Sequence, residues 1–363
     1  MTLDPATVAV YEQLAGTYAA RGRRPGHDGM AERAEALASA AAGTGPVLDL
    51  GCGTGHHLGH LGPAVIGVDP AAAMLAEARS AHPGAPLVRA SAGALPFRPR
   101  SLGGAWASKC LQHVEAGHLP LALADIHRSL PVGAPLALTV FAGEGTWISD
   151  DDLPGRRFTR WEAGPLSELA EGAGFVEVAT DVGPRHDDAW ARLDLTATRG
   201  RTLPDTVAPG MRLLVSGLNP SLHAADFGAG YVGPGNRFWP ALAAAGLLPD
   251  GADRDPWRLL ADGRIGMTDL VKRASPRAAE LTTAEYRAGV ERLDRLCALV
   301  EPEAVVLVGL AGWRAAVDRK ATVGWQDRRL GPSPVYVMPS TSGLNAGTSL
   351  ATLVDHLRAA ATG

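Results

Sequence analysis

Short apolar runs alternate with longer stretches in which apolar residues recur every three or four positions, and this alternation is played through twice along the chain. In the first series the runs are Pro46–Leu50, Ala64–Asp69, a run opening at Leu87, then Trp106–Val114 and Leu136–Phe141. An Ala-, Leu- and Glu-rich helical stretch over residues 6–42, interrupted at Gly22–Gly29, precedes them. The second series starts at Arg212–Val215 and continues through Gly266–Leu270, Ala304–Val308 and 335–338, with helices expected at 238–245, 283–300, 311–318 and 349–361. Apolar runs this short fit buried strands, and strands alternating with helical stretches build parallel sheets covered by helices. Between the series, residues 200–210 carry Pro204, Pro209, Gly200 and Gly210 and little that is apolar, which reads as a linker. The fold class is therefore α/β, in two domains at 1–203 and 204–363; a chain of 363 residues exceeds the roughly 250–300 that one core usually sustains.

Composition narrows the class without naming a function. Net charge is −4, but the first 200 residues hold 16 Lys+Arg against 22 Asp+Glu, and the remainder 18 against 16. Neither half is a basic nucleic-acid module overall; the second has room for a local basic groove. Cys52, Cys110 and Cys297 are too few and too scattered for a disulfide framework or a zinc site and read as buried free thiols. No apolar stretch approaches a membrane span, and Met1–Ala20 lacks the basic start and apolar run of a signal peptide, so a cytoplasmic protein without membrane partners is expected.

In the first half, Val47-Leu-Asp-Leu50 runs into Gly51-Cys-Gly53-Thr-Gly55, where the backbone must turn sharply and approach a ligand closely. The next run ends in Asp69, placed as a carboxylate that accepts both hydroxyls of a ribose. The glycine spacing is not the G-x-G-x-x-G that cradles a pyrophosphate, and a nicotinamide cofactor is the competing reading. Together these residues resemble the class I (type 11) S-adenosylmethionine-dependent methyltransferases. The resemblance implies a Rossmann-like sheet, with Asp49 and the Gly51 and Gly53 backbone facing the methionine part, Asp69 the ribose and Ala92 the base. It extends to Leu95-Pro-Phe97 after the third strand, to Trp106–Val114 at the fourth, and to a late helix from Phe158-Thr-Arg-Trp161 through Gly174-Phe175. Ser91 stands where the family usually carries an acid for the adenine amino group, and no Asp precedes the fourth strand near Gly103. Tyr11 and Tyr18 read as helix packing or as a cover over the ligand; His113 reads as a general base or as support for the pocket. His56 and His57 are expected to head a helix, and no ligand spacing for a metal accompanies them.

The second half is organised around residues 211–240. Gly217-Leu-Asn-Pro220 ends the apolar run at 212–215, and Pro220 stiffens the backbone so that Asn219 sits on a rigid turn at a strand end. Pro234-Gly-Asn-Arg-Phe-Trp239 follows, and Met338-Pro-Ser-Thr-Ser-Gly-Leu344 comes late. These three ordered motifs resemble the mismatch-specific uracil/thymine-DNA glycosylases over roughly residues 209–360. The resemblance implies an α/β/α sandwich of the uracil-DNA glycosylase type that acts on double-stranded DNA with G·U or G·T mismatches. It implies a water held by Asn219, a flipped base lined by Gly217 and Leu218 and stacked on Tyr231, and a loop at Ser342, Gly343 and Leu344 that enters the duplex with Leu344 as its wedge.

Base excision needs a positioned water and stabilised charge on the leaving pyrimidine, and an amide supplies the first without acting as a strong base. Asp226 is the first carboxylate to consider should Asn219 not serve. Asn236 is expected to tie the two loops together, Phe238 and Trp239 to lie in the core, and Lys272 and Arg273 to contact phosphates. Asn345 and Ala346 follow the wedge where family members place an arginine. An iron–sulfur cluster is excluded by ligand count, since the second half has Cys297 alone, so no cofactor is expected there. The sequence therefore reads as a bifunctional enzyme: a DNA glycosylase joined to an S-adenosylmethionine-dependent methyltransferase whose acceptor the motifs do not specify. The alternatives are a cofactor-sensing or nucleic-acid-binding module with one silent half, or a methyltransferase whose second half only binds a nucleoside or RNA.

Overall fold

A computed structural model describes residues 3–20, 29–151, 153–183 and 190–362, so the glycine interruption expected at Gly22–Gly29 falls, but for its last residue, outside the described residues. The chain divides into two compact units, Met1–Glu171 with Phe175–Gly200, and Gly172–Gly174 with Arg201–Gly363.

The first unit opens with α1 (Pro5–Gln13), α2 (Ala15–Ala20) and α3 (Met30–Ala40). There follow β1 (Val47–Leu50), β2 (Val65–Asp69), α4 (Ala72–Ala81), β3 (Leu87–Arg89), β4 (Gly104–Ser108), α5 (Leu119–Ser129) and β5 (Pro135–Ala142). A hairpin of β6 (Thr146–Ile148) and β7 (Arg157–Trp161), then α6 (Ala163–Gly172), β8 (Phe175–Val182) and β9 (Arg192–Arg199), complete it. The parallel part runs β3-β2-β1-β4-β5, and β9 pairs antiparallel with both β5 and β8. Every residue of β1 is buried, as the continuous run Val47-Leu-Asp-Leu50 requires of a strand covered on both faces. Strand order reverses between β1 and β4, the place where open sheets of this kind hold ligands beyond the strand ends.

In the second unit β10 (Leu213–Gly217), α7 (Leu222–Phe227), α8 (Phe238–Ala244), α9 (Pro256–Gly263), β11 (Ile265–Asp269) and α10 (Thr283–Val300) come first. β12 (Ala304–Val308), α11 (Leu310–Ala316), β13 (Gly324–Leu330), β14 (Ser333–Met338) and α12 (Leu350–Thr362) follow. The sheet runs β11-β10-β12-β14-β13, parallel except for β13. Phe238, Trp239, Leu242 and Leu357 pack on one face of it against Val215 and Val306. The polar, interrupted stretch Gly324-Trp-Gln-Asp-Arg-Arg-Leu330 carries no strand signal by itself; it pairs as an edge strand because β14 offers a free ladder. No helix among the described residues is long and apolar enough to cross a membrane.

Three expectations are corrected. Phe158–Trp161 forms β7 rather than the start of a late helix, its β-branched and aromatic residues pairing with Thr146–Ile148. His56 and His57 lie within a succession of turns over residues 53–60, not at the head of a helix. The stretch read as a linker is largely core: Thr202, Leu203, Asp205, Thr206 and Val207 are buried, and Thr206 exchanges two backbone hydrogen bonds with Met267 at 3.0 and 3.1 Å.

Asp205 anchors that segment. It accepts from Thr268 Oγ1 at 2.6 Å, Lys272 Nζ at 2.8 Å and Arg292 Nη1 at 2.6 Å. Burial works against its ionisation, but Arg292 and then Lys272 outweigh that cost and hold its carboxyl below the usual range. Removing it strands two cations in the interior, a loss of about 3–5 kcal/mol when a buried pair is broken. Asp205→Ala is therefore expected to lower the urea midpoint of the second unit sharply, whereas Arg201→Ala, on an exposed pair with Asp226, leaves it nearly unchanged. Equal midpoints for Asp205→Ala and the parent would remove the anchor. A fragment starting at residue 207 lacks Asp205 and is expected to share the defect, while one starting at 201 is not.

Candidate functional sites

In the first unit a cavity of about 180 Å³ opens beyond the ends of β1, β2 and β4, beneath α1 and α2. Gly51, Gly53 and Gly55 all have positive φ, at 67°, 52° and 86°, where a side chain is strained. A Cβ at Gly51 would also collide with that of Cys110, so this turn admits glycine alone.

Asp49, on β1, is 1% exposed, and its Oδ2 has no hydrogen-bond partner. Burial, and then the neighbouring Asp69, push its carboxyl well above the ordinary value. Such a group is costly unless a ligand supplies a compensating charge or donor. Asp69 ends β2 and accepts from Gly53 N at 3.0 Å and Ala71 N at 2.9 Å; burial nevertheless raises it to about 6. Two carboxylate oxygens offer about four acceptor positions, so Asp69 retains capacity for further donors. Gly51, Gly53, Asp69 and Ala92 line the cavity; Asp49 and Ser91 do not.

Tyr11 and Tyr18 both line the cavity and meet edge to face, with ring centroids 5.8 Å apart. His113 is spent within the protein. Its Nδ1–H donates to Arg157 O at 2.6 Å, which leaves Nε2 to accept from the Tyr11 hydroxyl at 3.0 Å. Arg156 donates to the same hydroxyl at 3.2 Å and pairs with Asp151. Burial lowers His113 to about 4, so the imidazole is neutral near pH 7. Its geometry is that of a strut holding α1 over the cavity. No group of residues able to hold a metal is found among the described residues.

The second unit places Asn219 just past the end of β10, at the reversal of strand order between β10 and β12. Leu270 N donates to Gly217 O at 2.9 Å, Val271 N to Leu218 O at 3.0 Å and Ser275 N to Pro220 O at 3.1 Å, so the turn is clamped along its length. Asn219 Nδ2 donates to Arg273 O at 3.0 Å, Ser275 Oγ at 2.9 Å and Pro220 O at 3.2 Å. Ser275 Oγ itself donates to Arg277 O, which fixes the direction of the bond and with it the amide's orientation. The amide nitrogen is committed to the protein, and the carbonyl oxygen is left to accept from a ligand or water.

Opposite Gly217, in register on β11, stands Asp269. A Cβ at Gly217 would collide with Asp269 Oδ1 and lie 3.1 Å from the Tyr231 hydroxyl, so glycine is what lets these groups converge. Asp269 is 9% exposed, and burial raises its carboxyl to about 6. Tyr231 takes φ 61°, a left-handed conformation that a bulky residue rarely adopts. Trp239 Nε1, donating to Gly230 O at 3.0 Å, and a stacked contact with Phe238 at 4.2 Å hold it there. One ring face is thus covered by Phe238, and the buried hydroxyl has no hydrogen-bond partner. Tyr231 and Asp269 line a recess of about 20 Å³ with Met267 and Gly230.

Leu344 is 96% exposed at the tip of its loop. Asn345, just beyond it, turns its side chain inward, donating to Ser340 O at 2.9 Å and Thr348 Oγ1 at 3.0 Å.

Several expectations fail here for want of tertiary information. Lys272 is an internal cation on Asp205, not a phosphate contact, whereas Arg273 stays at the surface in a pair with Glu285 at 2.7 Å. Asn236 caps its own chain, accepting from Phe238 N at 3.0 Å; its neighbour Arg237 instead ties this loop to the later one at 342–345. Asp226 is exposed on Arg201, so the carboxylate beside Asn219's strand end is Asp269. A signal for it existed: Ile265-Gly-Met-Thr-Asp269 closes an apolar run with an acid, as Ala64–Asp69 does.

Residues 204–360 match the family model described as the uracil DNA glycosylase superfamily, and residues 47–133 match a methyltransferase domain model. Among solved structures, the chain is similar to a 1,6-didemethyltoxoflavin-N1-methyltransferase from Burkholderia thailandensis, with 25% identity over 53% of this chain and 88% of that one, and a TM-score of 0.42. A methyltransferase from Thermotoga maritima, a possible histamine N-methyltransferase, is 17% identical over 53% of this chain and 99% of that one, with a TM-score of 0.39. An amino pentose methyltransferase from Micromonospora echinaspora is 21% identical over 51% and 95%, with a TM-score of 0.37.

Proposed function

We propose that this chain, in which a methyltransferase domain precedes a uracil DNA glycosylase superfamily domain, excises uracil from mismatched DNA with its second half and binds S-adenosylmethionine with its first. The observation that carries the excision reading is the locked amide of Asn219, whose carbonyl oxygen is the group left to hold a water against a sugar. The water adds to C1′ as the glycosidic bond breaks, the leaving pyrimidine takes the electron pair, and the proton the water sheds passes through solvent to that pyrimidine anion. Gly217 and Leu218 line the base, Tyr231 flanks it, and Ser342, Gly343 and Leu344 enter the duplex. A mispaired uracil is the expected target, because part of its unpairing cost is already met. The test is single-turnover release of uracil from G·U duplex, single-stranded and RNA substrates, and of thymine from a G·T duplex, with abasic sites revealed by alkali on the DNA. No release from any of them overturns the reading.

Of the basic residues after β11, Lys272 is held by the buried Asp205, while Arg273 and Arg277 form surface pairs with Glu285 and Glu280. With Lys272 withdrawn from the surface, phosphate attraction rests on fewer charges, and a shallow dependence of DNA affinity on salt is expected.

For the first half, the residues fit the cofactor. The Gly51 and Gly53 backbone would take the amino-acid end, Asp69 the ribose hydroxyls and Ala92 the base; Asp49, whose Oδ2 has no partner, precedes Leu50 of the lining and would act from behind it. When bound, S-adenosylmethionine supplies an electrophilic methyl group to an acceptor. Tyr11, held by His113 and Arg156, keeps α1 over the cavity and excludes water from it.

A further inference from the structure

We infer that Arg237 is a positioning residue for the wedge: it braces the loop that carries Leu344 so that the loop drives a base out instead of yielding. The inference rests on the excision reading of the second domain.

The loop Ser340-Thr-Ser-Gly-Leu-Asn-Ala-Gly-Thr348 is built of small and polar residues with two glycines, a composition that resists ordering because it has much conformational freedom to lose. It presents a fully exposed leucine to solvent. Its own bonds shape it locally: Asn345 N donates to Ser342 O at 3.0 Å, and the Asn345 side chain reaches back to Ser340 O. Those bonds do not fix where the loop stands on the domain.

Arg237 does. Its backbone N donates to Thr341 O at 3.0 Å, its Nη2 to Ser342 O at 3.2 Å and Asn345 O at 2.7 Å, and its Nη1 to Thr348 O. Four carbonyls spanning the loop thus converge on one residue. The base of that residue is rigid, since Phe238 and Trp239, which follow it, are buried in the core. A planar guanidinium can serve several carbonyls at once in a fixed fork, which an ammonium cannot. Close packing adds to the brace: a Cβ at Gly343 would lie 3.0 Å from Gly235 O, so the wedge loop rests directly on the loop preceding Arg237. That preceding loop also carries Tyr231, so Arg237 joins the base-flanking segment to the wedge.

The test uses the full chain and a G·U duplex with 2-aminopurine beside the uracil. Arg237→Ala is expected to slow duplex excision on the order of tenfold to a hundredfold, as displaced positioning groups do, and to reduce the 2-aminopurine signal of base extrusion. Arg237→Lys, which keeps the charge and loses the fork, should behave like Arg237→Ala. In the double variant with Leu344→Ala the second change should cost little more than the first, because both act through one wedge. Amide hydrogen exchange at residues 341–348 should quicken in Arg237→Ala while the sheet strands stay protected. A Lys variant that restores the parent rate would make Arg237 a phosphate contact and overturn the brace; so would fully additive effects. Should the parent release no uracil at all, the excision reading fails by itself, and exchange then decides: unchanged protection at 341–348 overturns the brace, quickened exchange supports it.

Discussion

Asn219→Ala is expected to slow uracil release from a G·U duplex by about a hundredfold or more, the usual cost of losing a polar contact made in the transition state. Binding should change little, because Tyr231 and Leu344 are untouched. The magnitude follows from how thoroughly the amide is held: three acceptors fix its nitrogen, so the carbonyl meets the water already oriented. Asn219→Asp is expected to be a poor substitute, since a carboxylate cannot donate to Arg273 O and Ser275 Oγ as the amide does.

Asp269 supplies the control. Burial raises its carboxyl to about 6. If it takes a proton from the water, excision by the parent should climb as pH rises through about 6, because the base must be ionised; if Asn219 merely orients the water, the profile across that range should be flat. Asp269→Asn separates the cases: it removes a pH-dependent limb in the first and leaves the rate nearly unaltered in the second. Parent-like release by Asn219→Ala, together with loss of release in Asp269→Asn, would transfer the chemistry to Asp269.

Asp69→Ala should weaken S-adenosylmethionine binding by on the order of a hundredfold or more, since two hydrogen bonds to a charged acceptor contribute roughly 1.5–3 kcal/mol each. Calorimetric titration of parent and variant measures this directly, and equal affinities would show that Asp69 does not hold the ribose. The pH sign is set by its raised carboxyl. Above about 6 Asp69 is ionised and accepts two donors; as pH falls through about 6 it takes up a proton and loses acceptor strength, so affinity should decline toward about pH 5. The Asp69→Ala variant should lack that decline.

Much of the architecture was legible in the chain because it is written in local periodicity. Buried parallel strands are continuous apolar runs, and Val47–Leu50, Leu213–Gly217 and Ala304–Val308 appear as strands where such runs stand. Motifs fixed the turns as well: glycines at 51, 53 and 55 take positive φ, and Pro220 stiffens the turn after Asn219. The edge strand Gly324–Leu330 was not legible, since its pairing depends on a neighbour's open ladder and not on its own pattern.

The sites divide along the same line. Which residue types reach the strand ends (Asp49, Asp69, Asn219) is a property of sequence position, and so is an apolar tip such as Leu344. Which charges cancel is not. Asp205 meets Lys272 and Arg292 across 67 and 87 positions, and that pairing converts a stretch that looks like a linker into core and a basic residue that looks like a phosphate contact into a buried counter-ion. Asp269 converges on Gly217 only because β10 and β11 lie in register, and Arg237 reaches the wedge loop across 105 and 108 positions. Coulomb attraction and hydrogen bonding act over a few ångströms of space, whatever the separation along the chain, so the tertiary structure alone decides which polar groups are already satisfied and which are left to meet a ligand.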